Sequence, residues 1–210
     1  ELGAVAAPGV VGINPDPSGF RFSFPTDLVL GDISLTNLAV VDTRAGGGGS
    51  ITVNARNLSL FGGSALIAGI GQNLDIPDAV AGDIDINAQG AITIDGVGQF
   101  PSGEFSSGIF NNVNEGSTGK SGNINVKTGS LLLTNDGVIS ASIFGNGAGN
   151  VNITAADGVL LDRSVIFSRV RQEATGNGGS ININARSLTL TNGAGLTTSS
   201  LGRGNAGNIS

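Results

Sequence analysis

Short bursts of strict alternation between apolar and polar residues recur along this chain. In Gly179-Ser180-Ile181-Asn182-Ile183-Asn184 the two isoleucines fall on one side and Ser180, Asn182 and Asn184 on the other, because successive side chains of a strand point to opposite faces. A second burst follows, Leu188-Thr189-Leu190, and then a third, weaker one, Leu196-Thr197-Thr198-Ser199-Ser200. The triplet is repeated upstream. Gly149-Asn150-Val151-Asn152-Ile153, Gly122-Asn123-Ile124-Asn125-Val126, Gly82-Asp83-Ile84-Asp85-Ile86 and Gly49-Ser50-Ile51-Thr52-Val53 are earlier forms of the opening, and Gly207-Asn208-Ile209 begins another. Leu58/Leu60, Ile92/Ile94, Leu131/Leu133 and Val159/Leu161 are second bursts, while Leu66-Ile67-Ala68 and Ile139-Ser140-Ala141 are third ones. The copies start at 49, 82, 122, 149, 179 and 207, in steps of 33, 40, 27, 30 and 28 residues.

Three short strands in about 28 residues predict an all-β chain, with each copy one turn of a right-handed parallel β-helix. A propeller blade needs four strands in about 40 residues, paired as antiparallel hairpins, and a leucine-rich repeat carries its own consensus with one strand per unit. In a β-helix each strand pairs with its counterpart about 4.8 Å away along the axis, so equivalent residues stack in columns. Ile51, Ile84, Ile124, Val151, Ile181 and Ile209 form one inward column, and Val53, Ile86, Val126, Ile153 and Ile183 the next. Thr52, Asp85, Asn125, Asn152 and Asn182 form an outward polar column able to hydrogen-bond as a ladder. Ala55, Ala88, Ala155 and Ala185 end the first strand where a corner narrows the interior. The glycines, 36 of 210 residues, are expected at corners where the chain bends sharply and often needs positive φ.

The pattern divides the chain into residues 1–30 and a repeat region, 31–210. Four of the six prolines, Pro8, Pro15, Pro17 and Pro25, fall in the first part, so regular strands are not expected before Pro17. Phe20, Phe22 and Phe24 alternate and predict one strand with an aromatic side facing the core. This segment reads as a cap or docking arm, or as a connector from a preceding domain. From Gly31, Ile33-Ser34-Leu35 and Ala39-Val40-Val41-Asp42 read as the second and third strands of an incomplete first turn. The longest copy, from Gly82, carries its excess at 97–107, and solenoid insertions emerge as loops on one face. Phe100, Pro101 and Phe105 there form either a contact patch or a fold-back over the solenoid side.

Composition narrows the function. Charged residues are 12% and the net charge is −6, unlike the basic stripe that nucleic acid requires or the basic surface that anionic lipid attracts. No apolar run is long enough for a membrane-spanning helix. There is no Cys, His, Met, Trp or Tyr, which removes disulfides and thiolate chemistry and the usual general base. Asp83 and Asp85 share a strand face, yet aligned positions hold Asn, Ser and Thr, so the pair reads as variation within a polar ladder rather than as a catalytic dyad. No Gly-Gly-x-Gly-x-Asp calcium repeat and no phosphate-binding glycine loop is present. Asp75, Asp78, Asp83 and Asp85 are the candidates for a weak calcium site, and no cofactor is expected. Three of the ten basic residues, Arg163, Arg169 and Arg171, lie in the copy from Gly149. With Arg169 and Arg171 on one face, they are candidates for meeting an acidic glycan or a neighbour's carboxylates, or form a solvated cluster. Regular Thr-x-Thr ranks of an ice-binding face are approached only by Thr189/Thr191.

The repeats resemble the filamentous haemagglutinin-like exoproteins of two-partner secretion systems, in the form common in cyanobacteria. The likeness is carried over residues 31–210 by Val41-Asp42-Thr43 with Gly46–Ser50, Leu58-Ser59-Leu60-Phe61-Gly62-Gly63-Ser64-Ala65-Leu66-Ile67-Ala68-Gly69, Gly90-Ala91-Ile92-Thr93-Ile94-Asp95-Gly96, Ile109-Phe110-Asn111-Asn112-Val113 and the repeated Gly-Asn-Ile/Val opening. It implies a secreted, non-catalytic, right-handed β-helical fibre of a Gram-negative bacterium, exported unfolded through a partner outer-membrane pore and active in adhesion or surface coating. Asn14-Pro15-Asp16-Pro17 is a poor match to the Asn-Pro-Asn motifs of the family's secretion domain, so the segment is placed downstream, in the fibre body. Starting at Glu1 and ending within a repeat, it reads as part of a longer chain or a processed product. The partners expected are itself, end to end, flanking repeats of the same fibre, and surface glycans. The alternative is a glycan-binding or glycan-cleaving β-helix using the 97–107 loop or Arg169 and Arg171.

Overall fold

The computed structural model describes residues 1–6, 11–16, 19–25, 28–76 and 78–210, with the side chains of 16 and 19–21 outside that description. No helix occurs among the described residues. Three six-stranded sheets form the body, and every neighbouring pair within them is parallel. The first sheet contains Leu2–Gly3, Ile51–Ala55, Ile84–Ala88, Ile124–Thr128, Val151–Ala155 and Ile181–Asn184. Ile33–Leu35, Leu58–Phe61, Ala91–Asp95, Ser130–Thr134, Gly158–Asp162 and Ser187–Thr191 make the second. The third holds Val40–Asp42, Ala65–Ile70, Gly108–Val113, Val138–Ser140, Val165–Val170 and Gly195–Ser200. Each copy passes through the three in that order, an arrangement consistent with a solenoid.

The register matches the columns read from the alternation. Ile51 pairs with Ile84, Ile84 with Ile124, Ile124 with Val151, Val151 with Ile181 and Ile181 with Ile209. All but Ile209 are buried. The second sheet stacks Leu58, Ile92, Leu131 and Val159, with Leu60, Ile94, Leu133 and Leu161 beside them. These residues join Leu66, Ile109, Ile139 and Ile166 of the third sheet in one apolar cluster. Each fully buried aliphatic contributes on the order of 1.5–3 kcal/mol, and it does so against the copies on either side. Ala55 and Ala88 are buried where the first corner begins. In the third complete copy Thr128 occupies that place, donating to the Gly90 carbonyl at 2.8 Å.

The opening glycines owe their place to close packing rather than to left-handed backbone. Gly82, Gly122, Gly149 and Gly179 are absent from the positive-φ residues. A Cβ on Gly122 would lie 2.2 Å from the Gly82 carbonyl oxygen, one on Gly149 1.9 Å from that of Gly122, and one on Gly179 1.9 Å from that of Gly149. Backbone rests directly on backbone at this corner, which leaves no room for any side chain.

Residues 1–30 depart from expectation. Strands do occur before Pro17: Leu2–Gly3 takes the first-sheet position beneath Val53–Asn54, and Gly12–Asp16 pairs antiparallel with Gly19–Ser23. Pro15 is accommodated because this hairpin has only two strands, so each has a free edge where a missing N–H costs nothing. Pro8 and Pro17 lie outside the described residues. The aromatic side facing the core is also corrected. Phe22 is exposed, and Phe24 lies past the strand, its ring against Gly3 and edge-on to Phe22 with centroids 6.2 Å apart. The side chain of Phe20 lies outside the described residues.

Candidate functional site

Two kinds of surface come from the repeat: ladders along the sheets and loops at the corners. On the outer face of the first sheet Asn125 donates to Asp85, Asn152 to Asn125 and Asn182 to Asn152, each through Nδ2 to Oδ1 at 2.8 Å, and the Ser210 hydroxyl donates to Asn182 at 2.9 Å. A second ladder runs alongside, in which Asp83 accepts from the Asn123 backbone N–H, Asn123 from Asn150, Asn150 from Ser180 and Ser180 from Asn208. Asp83 and Asp85 therefore stand at the ends of two separate ladders, each carboxylate accepting from the copy above. On the other side of the Asp85 ladder, between it and the outward column that holds Asn87 and Lys127, the face is grooved, with about 390 Å³ of space over Asp85, Asn125, Lys127 and Asn152.

The charged pairs are peripheral. Asp32 takes a bidentate contact from Arg56 at 2.8 and 2.6 Å and a third bond from Asn57 at 2.9 Å. Those donors, Arg56 foremost, hold its carboxyl down at about 2. Arg44 likewise lowers Asp42, and each guanidinium is raised in turn by its partner carboxylate. These pairs fasten a corner and do not line a cleft.

The 97–107 excess forms an antiparallel hairpin, Val97–Phe100 with Gly103–Ser106, at the corner between the second and third sheets. It folds back on the stacked sheets. Gly98 lies against Gly62 and Gly63 so closely that a Cβ on it would sit 2.4 Å from the Gly62 carbonyl oxygen, and buried Ser107 accepts from the Gly63 N–H at 2.9 Å. Phe105 rests on Phe110 of the third sheet, centroids 5.5 Å apart, and Phe100 stands edge-on to Phe105 and is left exposed, next to the exposed Pro101.

The three arginines are held by different partners. Arg163 is at the second corner with φ of 48°, its guanidinium donating to Asn135. Arg169, near the end of the third strand, lies over the Phe167 ring at 4.5 Å from its centroid. Arg171, just past that strand, lies over Phe144 at 5.7 Å. Of the calcium candidates, Asp75 accepts from the Thr118 hydroxyl at 2.8 Å and Asp78 occupies a positive-φ turn in the same loop. Among the described residues no three acidic side chains gather closely enough to hold a metal ion.

The third corner, which leads from the third sheet back to the first, holds the feature that the residue pattern did not single out. Ile70, Val113, Ile143 and Val170 stack in register at the end of the third strands and form a satellite cluster with Ala79, Ala81 and Ala174. Ten residues, 114–123, join Val113 to Ile124, and ten, 171–180, join Val170 to Ile181. Only seven, 144–150, join Ile143 to Val151. The short loop between two longer ones leaves a cleft of about 590 Å³, with Phe144 among its lining, Glu115, Gly116, Ser117 and Thr118 from the copy before, Gln172 and Glu173 from the copy after, and Asp75 from one copy further back. The signal was in the sequence: 27 is the shortest of the five steps between copies.

Comparison of the chain with models of protein families, with curated proteins and with solved structures finds no match.

Proposed function

We propose that the chain is a right-handed parallel β-helix, closed around its apolar columns, and that it serves as a non-catalytic structural or adhesive segment of a secreted fibre of the filamentous haemagglutinin-like kind, at the outer surface of a Gram-negative bacterium. The observation that supports the structural part of this reading is the pairing of unbroken columns with uneven ends, while secretion and surface location rest on the family resemblance of residues 31–210. At the amino-terminal end the edge is occupied: Leu2–Gly3 covers part of the first sheet, Phe24 covers Gly3, and Val5 bridges to buried Leu30. At the other end Leu188 and Leu190, which continue the buried Val159 and Leu161 columns, are 43% and 40% exposed, and Ile209 is 47% exposed. A parallel edge of this kind presents both unpaired backbone groups and uncovered apolar side chains, so it invites another layer. For the 210-residue chain on its own, that layer is a second copy of this chain.

Sedimentation velocity over a range of concentrations tests the stacking arm. Association that grows with concentration and is lost in Leu190→Lys is the expected result; a monodisperse monomer at high concentration overturns it. Incubation with neutral and acidic polysaccharides tests the absence of catalysis, and any release of oligosaccharide products overturns that arm.

A further inference from the structure

We infer that the cleft at the third corner is a binding site for one sugar ring of a neutral glycan, with Phe144 offering an apolar face and Asp75, Glu115, Gln172 and Glu173 accepting from hydroxyl groups around it. The inference rests on the adhesive part of the reading above and is independent of stacking. The cleft exists because the loop 144–150 is short, so Phe144, 37% exposed, faces a space flanked by the two longer loops. One wall is fixed from within. Ser117, almost wholly buried, accepts from the Leu74 N–H at 2.8 Å and donates to the Gly71 carbonyl at 2.5 Å, while the Asn73 N–H donates to the Glu115 carbonyl at 3.0 Å and Thr118 is tied to Asp75. In the opposite wall the Ala174 N–H donates to the Arg171 carbonyl at 3.2 Å, which closes a turn around Glu173. Such a pre-shaped site spares a ligand much of the cost of ordering loops.

Three classes of ligand can be weighed on chemistry. A metal ion needs several carboxylates converging on one point, and these do not converge. A free organic cation would be drawn to the ring and the acids, but Phe144 already carries a cation of this chain, the Arg171 guanidinium 5.7 Å from its centroid. A second positive charge stacked on that ring meets repulsion, so a cation would use the carboxylates Asp75, Glu115 and Glu173 and not the ring. What remains is a neutral ligand with an apolar face for the ring and a girdle of donors for acceptors spread around a space of about 590 Å³. A pyranose ring has both, its C–H face and its equatorial hydroxyls. The carboxylates, being acceptors only, discriminate against anionic sugars through like charge.

Isothermal titration of the full 210-residue chain against neutral hexose oligosaccharides, a uronic-acid oligomer and a linear polyamine tests this directly. Binding of at least one neutral oligosaccharide is expected, weakened tenfold or more in Phe144→Leu and in Glu115→Gln, with both variants retaining the wild-type melting temperature to within a few degrees. Chemical-shift changes on the wild-type chain are expected at 115–118, 144 and 172–173. No binding by any neutral sugar, preferential binding of the polyamine or the uronic-acid oligomer, or shifts confined to other faces would each overturn the proposal. Sedimentation separates the two ideas: a chain that stacks but binds no sugar loses this inference alone.

Discussion

At the scale of single residues, glycine gives the sharpest case, because the same residue type does two different jobs here. Gly149 sits where a Cβ would come within 1.9 Å of the Gly122 carbonyl oxygen, whereas a Cβ on Gly195 would meet nothing within 4 Å and its φ is not positive. Gly149→Ala is therefore expected to cost roughly 3 kcal/mol or more, since the clash is with backbone and two copies must separate to relieve it. Gly195→Ala, in a strand with open space, is expected to be neutral or to stabilise by up to about 1 kcal/mol by restricting the unfolded chain. Urea unfolding of the two variants checks both, and equal effects would refute the close-packing account. Positive φ, the local reason that the sequence suggests for corner glycines, does hold at Gly62, Gly63, Gly96 and Gly116, but it does not account for Gly149. A positive φ is a local property that a turn can suggest, but the approach of one copy's backbone to the next exists only once the copies are stacked. For the same reason Asp83 and Asp85 looked like a pair in sequence, although in space each belongs to a different column.

At the scale of elements, alternation was enough to place most of the eighteen strands in the three parallel sheets, because a buried face against a solvated one leaves a period-two record in the residues. The strand pairs Ile124–Val151 and Leu131–Val159 were legible for this reason. Leu2–Gly3 was not, since two residues are too few to alternate and a proline-rich segment follows them. The hairpin at 97–106 was legible as an excess of length, with a fold-back over the solenoid side as one of its two readings, but Gly62 and Gly63 as the place it lands on were not, since that depends on a neighbour from the preceding copy. Corners are also where the ion pairs act, and Asp32 with Arg56 links the incomplete first turn to the copy that starts at Gly49. The carboxyl of Asp32 titrates at about 2 in the folded chain against 3.8 as the ordinary value. A depressed folded pKa means that the unfolded chain binds the proton more readily between these two values. The pair's contribution is thus complete above about pH 4 and is lost as pH falls toward 2. Wild type is expected to exceed Asp32→Asn in melting temperature at neutral pH, with the gap narrowing over that interval. Because the pair is exposed, the gap also shrinks in high salt. A difference that stays constant from pH 7 to pH 2 would show that the ion pair contributes nothing.

At the scale of the whole molecule, stability is shared between neighbours, so position along the stack decides how firmly a copy is held. The copies around Ile84–Ala88, Ile124–Thr128 and Val151–Ala155 have a partner on both sides in the first sheet. Ser187–Thr191 and Gly195–Ser200 are the outermost strands of the second and third sheets, and every residue of Ser187–Thr191 is exposed. In a quasi-one-dimensional array each copy gains its interface energy from adjacent copies, and a terminal copy receives about half of it. Local opening should follow that order, with the last copy fraying at a free-energy cost well below that of the centre. Hydrogen exchange of the isolated chain, followed by mass spectrometry at low concentration, is expected to be fastest over 187–210 and slowest over 84–94, 124–133 and 151–161. Residues 2–3 and 33–42 should fall between these limits, because the first sheet's edge is covered only in part. Raising the concentration should slow exchange over 187–210 selectively if a second copy covers Leu188 and Leu190, and Leu190→Lys should abolish that protection. Uniform exchange along the chain would mean that the copies open together, and the picture of an end held on one side only would have to be given up.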